Sequence, residues 1–139
     1  MTDFGVGLAA AAAATLVLSV MMLMKQGMRV MPDLDIIDMV AGMMGGSRAV
    51  GWMIHLTVGT VVYGLGYASL FAPIWPDSYW LSGILIGVAG WLVAGLMLMP
   101  MAQKGPFAIR LGFMGPLMSL LMHVIFGAVL GVVYGALVQ

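Results

Sequence analysis

The chain has 139 residues, of which 63% are apolar and only 7% charged, with a mean hydropathy of +1.14. A soluble domain carries about 25% charged residues, so this composition defines an integral membrane protein with room for about four spans. Formal net charge is zero and cysteine is absent, which excludes a basic nucleic-acid surface, disulfides, thiolate metal sites and cysteine nucleophiles.

The expected fold is all-α: one domain, residues 1–139, forming a four-transmembrane-helix bundle. The opening MTDFGVGLAA lacks the positive region of a secretory signal and is expected to be retained. Span one covers about residues 4–24 and holds an alanine run, Ala9 to Ala14, whose small side chains let neighbouring helices approach closely. Lys25-Gln26-Gly27 is expected to stop it.

The connection that follows carries three acids, Asp33, Asp35 and Asp38, and three bases, Lys25, Arg29 and Arg48. Pro32 and Asp33 read as start signals for a short helix over about residues 33–45, ended by Gly45-Gly46. That helix is too short to span, so it is expected to lie in the membrane interface. Span two covers about residues 50–71. The turn from Ala72 to Trp80 has two prolines and three aromatics, a composition suited to the headgroup level. Span three covers about residues 81–99 and is expected to stop at Pro100. After a polar connection, span four covers about residues 114–138, with Pro116 in its first turn.

All five bases (Lys25, Arg29, Arg48, Lys104 and Arg110) fall in the two connections on one side of a four-span protein. The positive-inside rule therefore puts those connections in the cytoplasm and both termini outside. Spans one–two and three–four also share a pattern of small-residue helix, Met-rich end, basic connection, histidine and Tyr-Gly. This points to a two-fold internal repeat with parallel halves.

His55 and His123 are the candidate chemical residues, at similar depth on two parallel spans. Two facing imidazoles are the arrangement that ligates a b-type haem in a four-helix bundle, with Arg48 or Arg110 meeting its propionates. The plainer expectation is an interhelical hydrogen bond from each ring. Gly59, Gly83, Gly87, Gly127, Gly131 and Gly135 lie at helical spacing and are expected to pack against neighbouring helices. The sequence leaves open whether those neighbours are internal or belong to another chain. The 16 methionines can act as soft Cu(I) ligands, but flexible apolar packing is the expected role. The three aspartates are expected to form a solvated face rather than a metal site. No catalytic motif is present, and the spans hold no acid or base for an ion path.

Three stretches carry a family resemblance: Pro32-Asp-Leu-Asp-Ile-Ile-Asp38, the block from Gly90 to Pro100, and the block from Leu121 to Gly135. Through them the chain resembles a family of small four-span bacterial membrane proteins of unknown activity. The resemblance implies a four-helix bundle in a bacterial inner membrane, which with the charge asymmetry gives periplasmic termini. The expected role is an accessory or scaffolding subunit of a larger respiratory or photosynthetic complex, not an enzyme, without a cofactor. Its partners would be the lipid bilayer and other membrane subunits or further copies of itself, with no nucleic acid. The alternatives are a small haem b electron carrier using His55 and His123, and a metal or small-solute transporter.

Overall fold

The computed structural model describes residues 3–139, all helix and connection with no strand among the described residues. Four helices are long and apolar enough to cross a membrane: α1 (Phe4–Gly27), α3 (Arg48–Phe71), α4 (Tyr79–Met101) and α5 (Met114–Leu137). A short helix, α2 (Ile36–Met43), follows α1, and a 3-10 segment (Pro106–Leu111) joins α4 to α5. The four long helices form a bundle with both described ends and the 72–78 turn at one end. The two basic connections lie at the other.

Local chemistry moves several boundaries from their expected places. The Asp3 carboxylate accepts from the Val6 N–H at 3.0 Å and caps α1. Helix α1 ends at Gly27, within the expected Lys25-Gln26-Gly27 stop, and Lys25 is its last basic residue. The Lys25 ammonium donates to the carbonyls of Val30, Met31 and Leu34 at 3.2, 3.0 and 2.8 Å. The charge is thereby spent on the turn that reverses the chain.

The start of α2 is corrected. It begins at Ile36 rather than near residue 33, because Asp35 is the capping residue, accepting from the N–H groups of Ile37 and Asp38 at 3.0 and 3.3 Å. Gly45, at φ +62°, supplies the left-handed residue beyond its end.

The long helices are not uniform. Val58–Val62 and Tyr67–Phe71 in α3, and Ala94–Leu98 in α4, wind as π-turns, each with one more residue per turn than an α-helix. The last of these explains why α4 passes through Pro100 to Met101. A proline ring clashes with the carbonyl four residues back, and here that carbonyl, on Leu96, lies in a widened turn.

Two small-residue crossings hold the bundle. On α1 and α3, Gly7 faces Gly64 and Ala68, and Gly59 faces Thr15. On α4 and α5, Gly83 and Gly87 face Gly127, Gly131 and the His123 carbonyl. Between the crossings lies a core of Ala10, Ala11, Ala14, Tyr67, Ile86, Phe126, Leu130 and Tyr134. Tyr67 fixes its upper end, donating to the Tyr79 carbonyl at 2.8 Å and pairing with Ser82 Oγ at 2.9 Å. A second cluster, Leu34, Met39, Met99 and Ala108, packs at the basic end.

Candidate ligand cavity

A cavity of about 460 Å³ penetrates the bundle from the basic end and is walled by residues of all five helices. Its outer rim carries Asp35 and Arg48, and its inner end stops at Tyr63 and Phe126, whose rings meet edge to face at 4.9 Å. The walls between are almost wholly apolar, with Met22, Met99, Met118 and Met122 among them. His55 and His123 both open onto this space.

The hydrogen bonds of the two rings define which nitrogen each leaves free. His123 Nδ1 lies 2.8 Å from the Ser119 carbonyl oxygen. A carbonyl only accepts, so Nδ1 carries the proton and Nε2 keeps its lone pair. His55 Nε2 lies 3.1 Å from Ser19 Oγ, while that hydroxyl also contacts the Thr15 carbonyl at 2.7 Å. The single hydroxyl proton goes to Thr15 over the shorter contact, so Ser19 accepts from His55 Nε2–H. The free lone pair on His55 is therefore at Nδ1. Each ring is oriented by a second group, as imidazoles that bind ligands commonly are.

Sequence reasoning placed one of these two interactions well. His55 reaches a hydroxyl on a neighbouring helix, as expected, that of Ser19. His123 stays on its own helix, and the two halves of the proposed repeat differ at this point. Ser119 is instead used by Trp91, whose indole donates to its Oγ at 3.0 Å. Trp52 and Tyr63 escaped sequence reading as cavity residues, and Ser19 as the partner of His55. Trp52 was legible, since it lies one turn before His55 and meets that ring edge on at 5.7 Å.

The remaining polar groups of the lining are mostly engaged. Lys25 gives its protons to three carbonyls, and Arg48 pairs with Asp35 at 3.0 Å and with Asp38. The Gln26 amide donates to the Pro32 carbonyl at 3.3 Å. The Trp52 indole and the Tyr63 hydroxyl keep unspent donors. Arg110 lies outside the lining and donates to the Gln103 carbonyl at 3.2 Å.

These facts bear on a shared haem. Its two propionates would need cations, and the two in the lining are already bonded, Lys25 to three carbonyls and Arg48 to two carboxylates, although both imidazoles retain a lone pair. Among the described residues no cluster of three or more His, Cys, Asp or Glu side chains is placed to hold a metal ion. Asp35 and Asp38 are the partners of Arg48.

The glycines divide by crossing. A methyl on Gly83, Gly87, Gly127 or Gly131 would run into backbone of the facing helix, and one on Gly59 into Thr15. Gly135 rests on the Tyr79 ring, where an added carbon would approach to 3.1 Å. The neighbours of all six lie within the chain. Met24, Met28, Met44, Met53, Met97, Met101 and Met114 are exposed toward the basic end.

The fold and cavity define a small four-span helical membrane protein with an internal cavity lined by two imidazoles. The chain belongs to the family of unknown function DUF6789, whose family model matches residues 1–139. No curated protein and no solved structure matches it.

Proposed function

We propose that this protein binds a lipophilic small molecule within the bilayer, in the cavity that His55 and His123 share. One observation supports this reading: two imidazoles, each held by one hydrogen bond and each keeping one unspent nitrogen, line a space whose walls are otherwise mostly apolar. Ligand sites have this character, with apolar walls, a few convergent polar groups and volumes of about 300–1,000 Å³. A buried polar group without a partner costs free energy, and a bound molecule would satisfy both rings at once. The two π-turns beside the cavity, which contribute Val58 and Gly59 from α3 and Ala94 and Leu98 from α4, fit the same reading. Such turns concentrate at functional sites.

The test is organic extraction of the protein purified in mild detergent, with mass spectrometry of what is released. Ala94→Phe places a ring in the cavity wall and should abolish the released species. Identical extracts from the native protein and this variant would sink the reading.

A role as an accessory subunit of a larger membrane complex in a bacterial inner membrane is the second reading. Its support is the outward-facing methionine set at the basic end, since methionine surfaces adapt to many partners. The glycine faces give it none, because they are occupied within the chain. Co-migration of larger subunits on gentle purification tests it. Transport draws no support of its own from a lining with no carboxylate, lysine or arginine beyond its basic end. For orientation we propose the basic end in the cytoplasm and both termini in the periplasm, from the five-to-zero distribution of bases.

A further inference from the structure

We infer that the cavity takes a lipophilic hydroquinone, a 1,4-dihydroxy aromatic ring with an apolar substituent. One hydroxyl would donate to His55 Nδ1 and the other to His123 Nε2. This rests on the cavity being a binding site. It adds which chemistry the site selects.

The argument starts from the hydrogen-bonding character of the two rings. Both rings line the cavity, and the nitrogen that each leaves free is an acceptor, because the proton sits on the opposite nitrogen. The complementary molecule must bring two donors. It must also be uncharged, since Lys25 and Arg48 are committed to the carbonyls and carboxylates already described and leave no cation for an acidic headgroup. The rest of the molecule must be apolar, to match walls of methionine, leucine and aromatic side chains. Lipid alcohols bring one donor and would satisfy one ring. A ring with hydroxyls at opposite ends brings two, separated by the width of the ring, to imidazoles that come from different helices.

Each hydroxyl also accepts, and Trp52 and Tyr63, whose own donors are unspent, are among the lining residues. The oxidised quinone is a poor match. Its two carbonyls only accept, so they would oppose the imidazole lone pairs unless both rings changed tautomer. For His123 that change breaks the bond to the Ser119 carbonyl. The site therefore prefers the reduced form of the couple.

The experiment uses the full chain in lipid nanodiscs, with protein-free nanodiscs as the partition control. Titration calorimetry would compare a decyl-substituted 1,4-benzoquinol, kept reduced under argon, with its dimethyl ether and with the matching quinone. The quinol should bind more tightly than the ether, by about tenfold for each hydrogen bond lost. The quinone should bind more weakly than the quinol. His55→Phe and His123→Phe should each remove about tenfold of the preference for quinol over ether. Comparing the three ligands on the native protein needs no variant to fold.

Equal affinity for quinol and ether would overturn the hydroquinone assignment and leave the cavity as an apolar site. Equal or tighter binding of the quinone would overturn it too. If none of the three bound above the partition control, the assignment and the cavity reading would both fall.

Discussion

Gly83 and Gly127 meet backbone to backbone, each so close that a methyl on either would strike the carbonyl oxygen of the other. In lipid, apolar burial does not drive helices together, so such close approach supplies packing that bulkier residues cannot. Gly131 extends the contact to the Tyr79 carbonyl. Gly131→Leu is expected to cost about 3 kcal/mol or more, at the upper end for overpacking, because backbone cannot yield as a side chain would. Val132→Phe, on a residue 59% exposed, should change little. Reversible unfolding in mixed detergent micelles measures both, and equal stability would show that α4 and α5 separate without cost.

The tautomers assigned to the histidines have a direct readout. Nitrogen-15 spectra of the protein labelled at histidine should show a proton on Nε2 of His55 and on Nδ1 of His123, with both rings neutral at pH 7. Ser19→Ala removes the acceptor for His55 and is expected to cost about 1 kcal/mol, the scale of interhelical hydrogen bonds in membranes. Unchanged His55 resonances in that variant would mean that Ser19 does not set the tautomer.

Much of this architecture was legible because a bilayer imposes few choices. Apolar runs of about 20 residues can only be spanning helices, and the four spans fall within a few residues of their expected limits. Small residues at four-residue spacing named the contact faces, although only the fold could say that their neighbours are internal. The errors came from residues whose usual meaning local bonding overrode. Lys25 belongs to the expected helix stop, but its clamp on three carbonyls was not legible. Asp33 reads as a cap, yet Asp35 makes the bonds. The connection before α5 was read as merely polar. In fact Gly105-Pro106 starts a 3-10 segment that holds Phe107 and Ala108 at φ +54° and +62°. Phe107 there packs on Trp91 at 4.4 Å, over Gly95. No pattern in a single sequence announces a left-handed Phe-Ala pair. The cavity was half legible: the histidines were named, but their second partners depend on helix rotation, which periodicity does not fix in an apolar chain.

Tyr67 joins α3 to the start of α4 through the Tyr79 carbonyl and Ser82, and its ring meets that of Tyr134 edge on at 5.1 Å. Tyr67→Phe keeps the ring contact and leaves both partners one bond short. A loss of about 1–2 kcal/mol is expected from the hydroxyl alone. Tyr67→Leu should cost more, since the ring pair adds about 0.5–1.5 kcal/mol. If the Phe variant were as stable as the native protein, the hydroxyl bonds would carry no net weight.

Orientation is testable without structure. Reporter fusions after Gln139 and within the 72–78 turn should both read as periplasmic, and one between Gln103 and Arg110 as cytoplasmic. Replacing Arg29, Arg48, Lys104 and Arg110 by Gln should mix the two orientations, since the base distribution is what sets them. A cytoplasmic signal at Gln139 in the native chain would invert the proposed topology and put the cavity rim in the periplasm.

The helix over the cavity rim, α2, is held by three contacts of unequal weight. Arg48 pairs with Asp35 and Asp38, but its side chain is 45% exposed and that of Asp38 is 62% exposed. Solvent screens such pairs, which contribute about 0.2–1 kcal/mol. Asp35 is better placed, only 12% exposed, and it also accepts two backbone N–H groups that would otherwise lack partners. Loss of such a cap costs about 1 kcal/mol. Gly51 fixes the docking distance, because a side chain there would meet the Ile37 carbonyl. The order of effect should therefore be Gly51→Leu, then Asp35→Ala, then Arg48→Met. Hydrogen exchange of the α2 amides measures it. Asp35→Ala should speed exchange by about fivefold or more, the kinetic equivalent of a lost cap, and Arg48→Met by less. Exchange faster in Arg48→Met than in Asp35→Ala would show that the ion pair, not the cap and the glycine contact, keeps α2 over the cavity.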